Sequence, residues 1–193
     1  MRRGLLIAGL AVAALALAWG VLSATRPAWY LRIVYPLAHV DAIRSAAARN
    51  RLDPALVAAV IYEESRFRDD VSSHQGAVGL MQVLPSTAQE IARQTGGTDF
   101  VVTDLTDPRV NVLYGCYYLR ELLDHYHGAK IAAIAAYNAG QSNVDAWLSV
   151  SGGKLTTADI PFSETRDYVA AVLELQRTYR CAWGSTLGPP PAG

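Results

Sequence analysis

Two adjacent carboxylates are the first residues of this chain whose type and position could do acid–base chemistry. Glu63 and Glu64 close the segment IYEESRF, directly after the apolar run of residues 56–61. A carboxylate beside an apolar surface is poorly solvated, and at the end of a helix it also faces the negative end of the helix dipole. Both effects disfavour the anion, so the sequence predicts a glutamate that holds a proton near neutral pH, as a general acid must.

Helical periodicity does not decide which of the two glutamates has this role. On a period of 3.6 residues, Glu63 and Glu64 each fall on the same face as several members of the apolar run. A structural interpretation is also open, in which both glutamates are solvated at a helix end with Arg66 or Arg68 as ion-pair partners. Other segments of the sequence are therefore needed to decide whether the pair is catalytic and which glutamate is the acid.

Two further segments carry groups that could accompany a catalytic acid. Residues 72–82 read SSHQGAVGLMQ, in which two glycines permit a close backbone approach. Residues 135–140 read AAYNAG, which places the hydroxyl of Tyr137 and the amide of Asn138 beside a helix stop. Each segment also has an ordinary interpretation, namely a tight turn with Met81 in the core and a helix cap with a core tyrosine.

A succession of helices must position these segments, because the chain shows no sustained strand alternation and no internal repeat. The first helix covers residues 40–50. The next begins with Asp53 as N-cap and Pro54 at its first position, and it runs through the carboxylate pair. Ser86 and Gln89 form the pattern of a capping box for a helix that stops at residues 96–97. The predicted fold class is mainly α.

The second half of the domain continues in the same way. Start and stop signals predict four more helices. The first begins at Asp107 and Pro108 and continues to Gly128, and the second covers residues 131–137. The third begins near Ser142, and the fourth runs from about Ser163 toward Cys181. We expect the helix from Pro108 to be the longest of the domain. Residues 184–193 are rich in Gly and Pro with little to bury, which predicts a disordered tail.

The N-terminal segment predicts membrane attachment. Arg2 and Arg3 precede an uncharged stretch, residues 4–24, that has the roughly 20 apolar residues of a spanning helix. The apolar core of a cleaved signal peptide is shorter, about 7 to 15 residues. The two arginines favour a cytoplasmic N-terminus, and Trp29 and Tyr30 suit the opposite interface.

Residues 1–27 are therefore expected to form a membrane anchor, with residues 28–183 as one domain on the extracytoplasmic side of the cell membrane. A cleaved signal sequence is the open alternative, because the small residues Ala18, Gly20 and Ala24 suit a signal peptidase.

Charge and metal-ligand patterns restrict the function classes. Seventeen basic and seventeen acidic residues balance, so the sequence predicts no nucleic-acid partner. His74, His125 and His127 show no ligand spacing, and no metal or other cofactor is expected. Cys116 and Cys181 lie in apolar helical patterns, which favours core packing, although pairing in an oxidising compartment stays open.

Four segments resemble the successive motifs of one known family. They are ESRF at 64–67, GAVGLMQVLPSTA at 76–88, AAYNAG at 135–140 and PFSETRDYV at 161–169. In this order they are similar to the motifs of the soluble lytic transglycosylase catalytic domain, in the goose-type lysozyme superfamily. The resemblance covers about residues 43–179 and implies a lysozyme-like domain of packed helices with a substrate groove.

The resemblance implies a role for each matching residue. The catalytic acid of the family is the glutamate directly followed by serine, which implies Glu64, with Glu63 as a minor electrostatic neighbour. Tyr137 matches the tyrosine beside that glutamate and is implied to be catalytic. The positions implied to bind substrate are Ser73, Met81, Gln82, Asn138, Glu164 and Tyr168.

The implied activity is cleavage of the β-1,4 bond between N-acetylmuramic acid and N-acetylglucosamine in peptidoglycan, with a 1,6-anhydromuramyl product. Most glycosidases use two carboxylates, whereas this family implies one that acts first as acid and then as base. Two alternatives stay open: a lysozyme-type hydrolase that uses the same glutamate, and a peptidoglycan-binding module without catalysis.

Overall fold

A computed structural model of the chain describes residues 2–97 and 99–191. Almost all regular structure in these residues is helical, and the only strand-like pairing among them consists of isolated bridges from Val78 to Ser72 and to Val83. The predicted mainly α class is therefore confirmed.

Backbone contacts divide the chain into two units, one up to Pro36 and one from Leu37 onward. The first unit contains helix α1 (Arg2–Thr25) and the short helix α2 (Ala28–Val34), which the sequence analysis did not predict. Within the described residues, no helix combines the length and the apolar character that crossing a membrane requires.

The second unit holds every predicted site residue. Its α-helices are α3 (Val40–Arg49), α4 (Pro54–Ser65), α5 (Pro85–Thr95), α6 (Pro108–His125), α7 (Lys130–Ala139), α8 (Gln141–Val150) and α9 (Ser163–Leu187). Short 3-10 helices at Val102–Thr106 and Thr157–Asp159 lie in the connections.

Helix α4 is the centre of this unit. Residues 54–61 of α4 are all buried, so the helix is apolar on every side and must be enclosed by its neighbours. It packs most extensively against α9. Asp53 at its start bonds to Gln176 and Arg180, and Glu64 at its end bonds to Tyr168, so α4 and α9 run antiparallel.

Two predicted N-caps are confirmed and one is wrong. The Asp53 carboxylate accepts from the Ala55 N–H at 3.0 Å, and the Asp107 carboxylate accepts from the Arg109 N–H at 2.7 Å. The capping box at Ser86 does not form, because α5 begins at Pro85, with Leu84 rather than Ser86 as its N-cap. Proline at the first helical position presets the backbone and fixes the start there.

Two predictions about the end of the domain are wrong: α9, and not α6, is its longest helix, and the tail begins later than residue 184. Helix α9 has 25 residues against 18 in α6, and it continues to Leu187, so residues 184–187 are helix rather than tail. The extension is explained by burial, because the side chains of Ala182 and Leu187 are 1% and 2% exposed. Hydrophobic contact thus continues past Gly184.

The two cysteines have different environments. Both are free thiols, with Cys116 buried in α6 and Cys181 exposed on α9. Core packing is therefore confirmed for Cys116 and wrong for Cys181, which lies on the outer face of an amphipathic helix.

Candidate active site

Glu64 lies in the last turn of α4, where the enclosed helix reaches a cavity. The hydroxyl of Tyr168 donates a hydrogen bond to its Oε1 atom at 2.5 Å. Directly after α4, Arg66 and Phe67 both adopt the left-handed region, at φ +54° and +60°. Two such residues in succession are uncommon for bulky side chains, and the first of them is the C-cap that ends α4.

The carboxyl group of Glu64 is poorly solvated, and this decides its protonation. The pKa of Glu64 is raised from 4.5 to about 7, chiefly by burial; the hydrogen bond from Tyr168 lowers that pKa and the negative charge of Glu63 raises it. Glu63 itself lies 3.7 Å from the Arg66 guanidinium. The predicted glutamate that is protonated near neutral pH is therefore present, and it is Glu64.

Two tyrosines keep their protons beside this group. Burial raises the pKa of Tyr137 and of Tyr168 well above the ordinary value, and the charge of Glu64 raises both further. The Tyr137 hydroxyl donates to the backbone carbonyl of Met81 at 2.9 Å. Because its hydrogen is used there, the oxygen of Tyr137 has lone pairs available for another partner.

The segment after α4 is held together by its own side chains. Gln82 has a positive φ of +46°, and its amide nitrogen donates to the carbonyls of Val71 at 3.0 Å and Gly79 at 2.8 Å. The Ser73 hydroxyl accepts from the Ala77 N–H at 3.0 Å. With both amide hydrogens used inside the loop, Gln82 has its carbonyl oxygen left for a ligand.

Asn111 in α6 fixes this loop against the helix, and the sequence analysis missed it. Its Oδ1 atom accepts from the Met81 N–H at 2.8 Å, and its amide nitrogen donates to the carbonyls of Val78 at 2.7 Å and Leu105 at 3.0 Å. Asn111 is 1% exposed. A polar residue on the apolar face of a predicted helix was the available signal, because buried amides require such partners.

Gly115, one turn further along α6, was also missed. A Cβ atom at this position would lie 2.7 Å from the Cβ of Met81, so only glycine permits the observed approach of the loop to the helix. The signal in the sequence was a glycine inside a long helix, which lowers helix stability unless close packing requires it.

A bond between α7 and α9 completes the site. The Thr165 hydroxyl donates to Oδ1 of Asn138 at 2.7 Å, joining the end of α7 to the start of α9. The residues of the AAYNAG and PFSETRDYV segments are thereby brought together, as the resemblance implies.

A cavity of ≈ 480 Å³ lies over Glu64. It is lined by Glu63, Glu64, Asn138, Glu164, Asp167, Tyr168 and Ala171. Four of the predicted site residues therefore share one cavity. Ser73 and Gln82 belong to the loop described above, and the Met81 side chain is fully buried. Tyr137 is half-buried, bonds to the Met81 carbonyl and is not among the lining residues.

Other features of the second unit do not compete with this site. A cavity of ≈ 370 Å³ between α3 and α6, lined partly by Asp41, Arg49 and Arg109, contains no predicted site residue. In the described parts of the chain, no three His, Cys, Asp or Glu side chains are grouped to hold a metal ion.

A packed helical domain with a half-buried, protonatable glutamate that lines a cavity is the arrangement of the lysozyme-like class of proteins. The chain belongs to the transglycosylase SLT domain family, whose model, described as "Transglycosylase SLT domain", matches residues 41–160. The resemblance inferred from the four motifs is thus confirmed.

Relatives and solved structures agree with this assignment. The soluble lytic murein transglycosylase of Escherichia coli K12 is 33% identical over 155 residues, which are 78% of this chain and 24% of that protein. The membrane-bound lytic murein transglycosylase C of Edwardsiella ictaluri is 29% identical over 74% of this chain and 46% of its own length. The crystal structure of the 70 kDa soluble lytic transglycosylase from Escherichia coli superposes with a TM-score of 0.74, at 32% identity over 84% of this chain and 26% of that one. The chain thus spans about a quarter of the length of its soluble relatives.

Proposed function

We propose that this protein is a peptidoglycan lytic transglycosylase in which Glu64 is the single acid–base catalyst. The observation that carries the proposal is the Glu64 carboxyl group itself, which is half-buried, has a pKa raised to about 7, lines the cavity and is bonded to Tyr168. A pKa near the working pH allows one group to give a proton and then take one back.

The first step is protonation of the departing glycosidic oxygen by Glu64. Positive charge then develops at the anomeric carbon of the muramyl residue, and the carbonyl oxygen of the substrate's N-acetyl group and the Tyr137 oxygen stabilise it. The Tyr137 hydroxyl donates its hydrogen to the Met81 carbonyl, which makes the tyrosine oxygen more electron-rich and leaves its lone pairs for the developing positive charge.

The second step closes a ring. The ionised Glu64 takes the proton of the muramyl 6-hydroxyl, and that oxygen forms a bond to the anomeric carbon. Glu64 ends protonated, as it began, and the products are a 1,6-anhydromuramyl end and a free N-acetylglucosamine end. No water is consumed, so the two products together have the mass of the substrate.

Hydrolysis of lysozyme type is the second candidate, and a specific observation favours it. Glu164 and Asp167 line the same cavity as Glu64, and both side chains are exposed. A second carboxylate opposite the acid could hold a water molecule as nucleophile, which is the arrangement of inverting glycosidases. In that reaction the muramyl end gains one water.

Mass spectrometry of the products from purified peptidoglycan tests the proposal and separates the candidates. We expect muropeptides with 1,6-anhydro ends from the wild-type protein and none from Glu64→Gln. Muramyl ends heavier by one water would establish hydrolysis instead. Binding to peptidoglycan without any cleavage would establish the non-catalytic module.

We infer further that the protein is anchored in the cell membrane with the catalytic domain on the extracytoplasmic side. The support is the uncharged stretch of residues 4–24 behind Arg2 and Arg3, which lies within the 24-residue helix α1. By sequence, residues 4–24 supply the roughly 20 apolar residues that a spanning segment needs. The arginine pair favours an N-terminus in the cytoplasm.

Fractionation of cells that express the full chain tests the anchor. We expect the protein in the membrane fraction, resistant to alkaline carbonate, with an intact N-terminus. A mature protein that begins after Ala18 would identify a cleaved signal and contradict the anchor, while recovery in the cytoplasm would contradict export.

A further inference from the structure

Thr165 makes a hydrogen bond unlike those of most other helical hydroxyls in the described chain. Thr95 and Thr178 donate to carbonyls of their own helices, those of Ile91 at 2.8 Å and Glu174 at 3.1 Å. Thr165, in the first turn of α9, instead donates across to the Oδ1 atom of Asn138 at the end of α7. Thr165 is 2% exposed, so its buried hydroxyl needs a hydrogen-bond partner, and Asn138 provides one.

The bond favours one orientation of the Asn138 amide. An asparagine side chain has one acceptor end and one donor end, and a 180° rotation exchanges them. With the amide reversed, the Thr165 hydroxyl would accept from the NH₂ end and its own buried hydrogen would lose its acceptor, so the bond favours the carbonyl end toward α9 and the NH₂ end away from it. Asn138 lines the cavity over Glu64 and is exposed there, and its NH₂ group makes no bond to the described residues.

We propose that Thr165 is a positioning residue that sets Asn138 as a hydrogen-bond donor to an acceptor oxygen of the glycan. This inference rests on the proposed function, because it places the glycan in the cavity over Glu64. Without the Thr165 hydroxyl, the Asn138 amide can present either end, and the carbonyl end would face an acceptor oxygen of the sugar without a bond.

Enzyme kinetics on soluble peptidoglycan fragments tests this role. Thr165→Val has nearly the same shape as threonine but no hydroxyl, and we expect kcat/KM to fall about tenfold, as for loss of one bond in a desolvated site. We expect the loss mainly in KM, with the pH profile unchanged, since Glu64 keeps its own partners. Thr165→Ser restores the hydroxyl and should recover most of the lost kcat/KM. Thr178→Val is the matched control, because its hydroxyl bonds only within α9.

A double-mutant cycle decides whether Thr165 acts through Asn138. If it does, Thr165→Val/Asn138→Ala should be no worse than Asn138→Ala alone. Losses that multiply in the double variant, or a Thr165→Val variant with the wild-type kcat/KM, would overturn the proposal.

Asn138→Asp gives an independent test that leaves the Thr165 hydroxyl satisfied. Aspartate accepts from Thr165 but has no N–H to offer, so we expect a loss of affinity as large as that of Asn138→Ala, with an unchanged melting temperature. This arm still decides the proposal if Thr165→Val does not fold.

Calorimetric binding of an N-acetylglucosamine tetrasaccharide to the same variants separates this inference from the proposed function. Product analysis that shows no cleavage contradicts the function. Equal tetrasaccharide affinity of the wild type and Asn138→Asp contradicts the role of Thr165, whatever reaction the protein catalyses.

Discussion

The Tyr168 hydroxyl and the Glu64 carboxyl group are joined by a hydrogen bond of 2.5 Å, which connects the last turn of α4 to the first half of α9. At the other end of the same helix pair, Asp53 is held by Gln176 and Arg180. Because α4 is clamped at both ends, Glu64 is held on a rigid element rather than on a loop. A preorganised acid of this kind needs no rearrangement before it donates its proton.

Tyr168→Phe should raise the upper pH limit of activity. The wild-type kcat/KM is expected to fall as pH increases through about 7, where Glu64 loses its proton. The hydrogen bond from Tyr168 stabilises the anion, so its removal raises the pKa of Glu64 further. A pH profile of kcat/KM measures the shift of its alkaline limb, the range in which activity falls as pH rises. Movement of that limb to lower pH would contradict this account of the site.

Glu63→Gln should move the same limb in the opposite direction. The charge of Glu63 raises the pKa of Glu64, so neutralising it lowers that pKa and shifts the alkaline limb to lower pH. The effect should be the smaller of the two, because this charge is the least of the three causes of the shift. An unchanged profile would show that Arg66, 3.7 Å away, already offsets the charge of Glu63.

Tyr137→Phe should reduce turnover by about 10²- to 10³-fold, the usual loss when one stabilising group is removed from a site of developing charge. It also leaves the Met81 carbonyl without its partner, which is expected to lower the free energy of unfolding by about 1–3 kcal/mol. Turnover and chemical denaturation of one preparation measure both effects. Normal turnover with lowered stability would make Tyr137 a structural residue.

Gly115→Ala should lower activity by displacing the loop that carries Met81. The added methyl group would lie 2.7 Å from the Met81 Cβ, so the loop must move and take the Met81 carbonyl away from Tyr137. Overpacking of this kind costs about 1–3 kcal/mol, partly offset by the better helix propensity of alanine. We expect a lower kcat and no gain in melting temperature.

Gly184→Ala is the matched control for that substitution. Gly184 is also inside a helix, but beyond its chain neighbours and the local helix backbone no atom lies within 4 Å of its added Cβ. It should raise stability by about 0.5–1 kcal/mol without affecting turnover. Equal behaviour of the two alanine variants would remove the argument for close packing at Gly115.

The sequence predicted the parts of this site that depend on local chemistry. The cap at Asp53 and the apolar run that follows place a glutamate at the end of an enclosed helix, and both can be recognised along the chain. The partners of Glu64 could not be found in this way. Tyr168 is more than a hundred residues away, and helical periodicity left Glu63 and Glu64 equivalent until α9 was seen packed against one of them.

The supports of the loop were missed for a related reason. Asn111 bonds to residues about thirty positions earlier, and Gly115 matters only because Met81 approaches it, so each is explained by a tertiary contact without a local pattern. The length of α9 was missed for the same reason. Burial of Leu187 stabilises its last turn in spite of Gly184, and that burial is a tertiary contact that no local pattern shows.

Glu64→Gln separates catalysis from stability. Glutamine keeps the size of the side chain and can accept from Tyr168, but it cannot deliver a proton. Cleavage should fall by about 10²- to 10⁴-fold, the contribution of general acid catalysis. Glu63→Gln, which removes a carboxylate one residue away, should retain most of the activity at pH 6. Normal cleavage by Glu64→Gln and loss of cleavage in Glu63→Gln would make the assignment of the acid wrong.

The stability of the Glu64→Gln variant should depend on pH in a defined way. The folded-state pKa of Glu64, about 7, lies above its ordinary value of 4.5, so the native protein binds the proton more tightly than the unfolded chain. Its contribution to stability is fully present below pH 4.5 and is lost as pH rises through 7. The variant does not titrate at this position and avoids that loss. Its advantage in free energy of unfolding over the wild type should therefore grow between pH 4.5 and 7, to at most about 3 kcal/mol, and stay constant above. Denaturant titrations at pH 4.5, 6 and 8 measure the difference, and a constant offset at all three would show that Glu64 has an ordinary pKa.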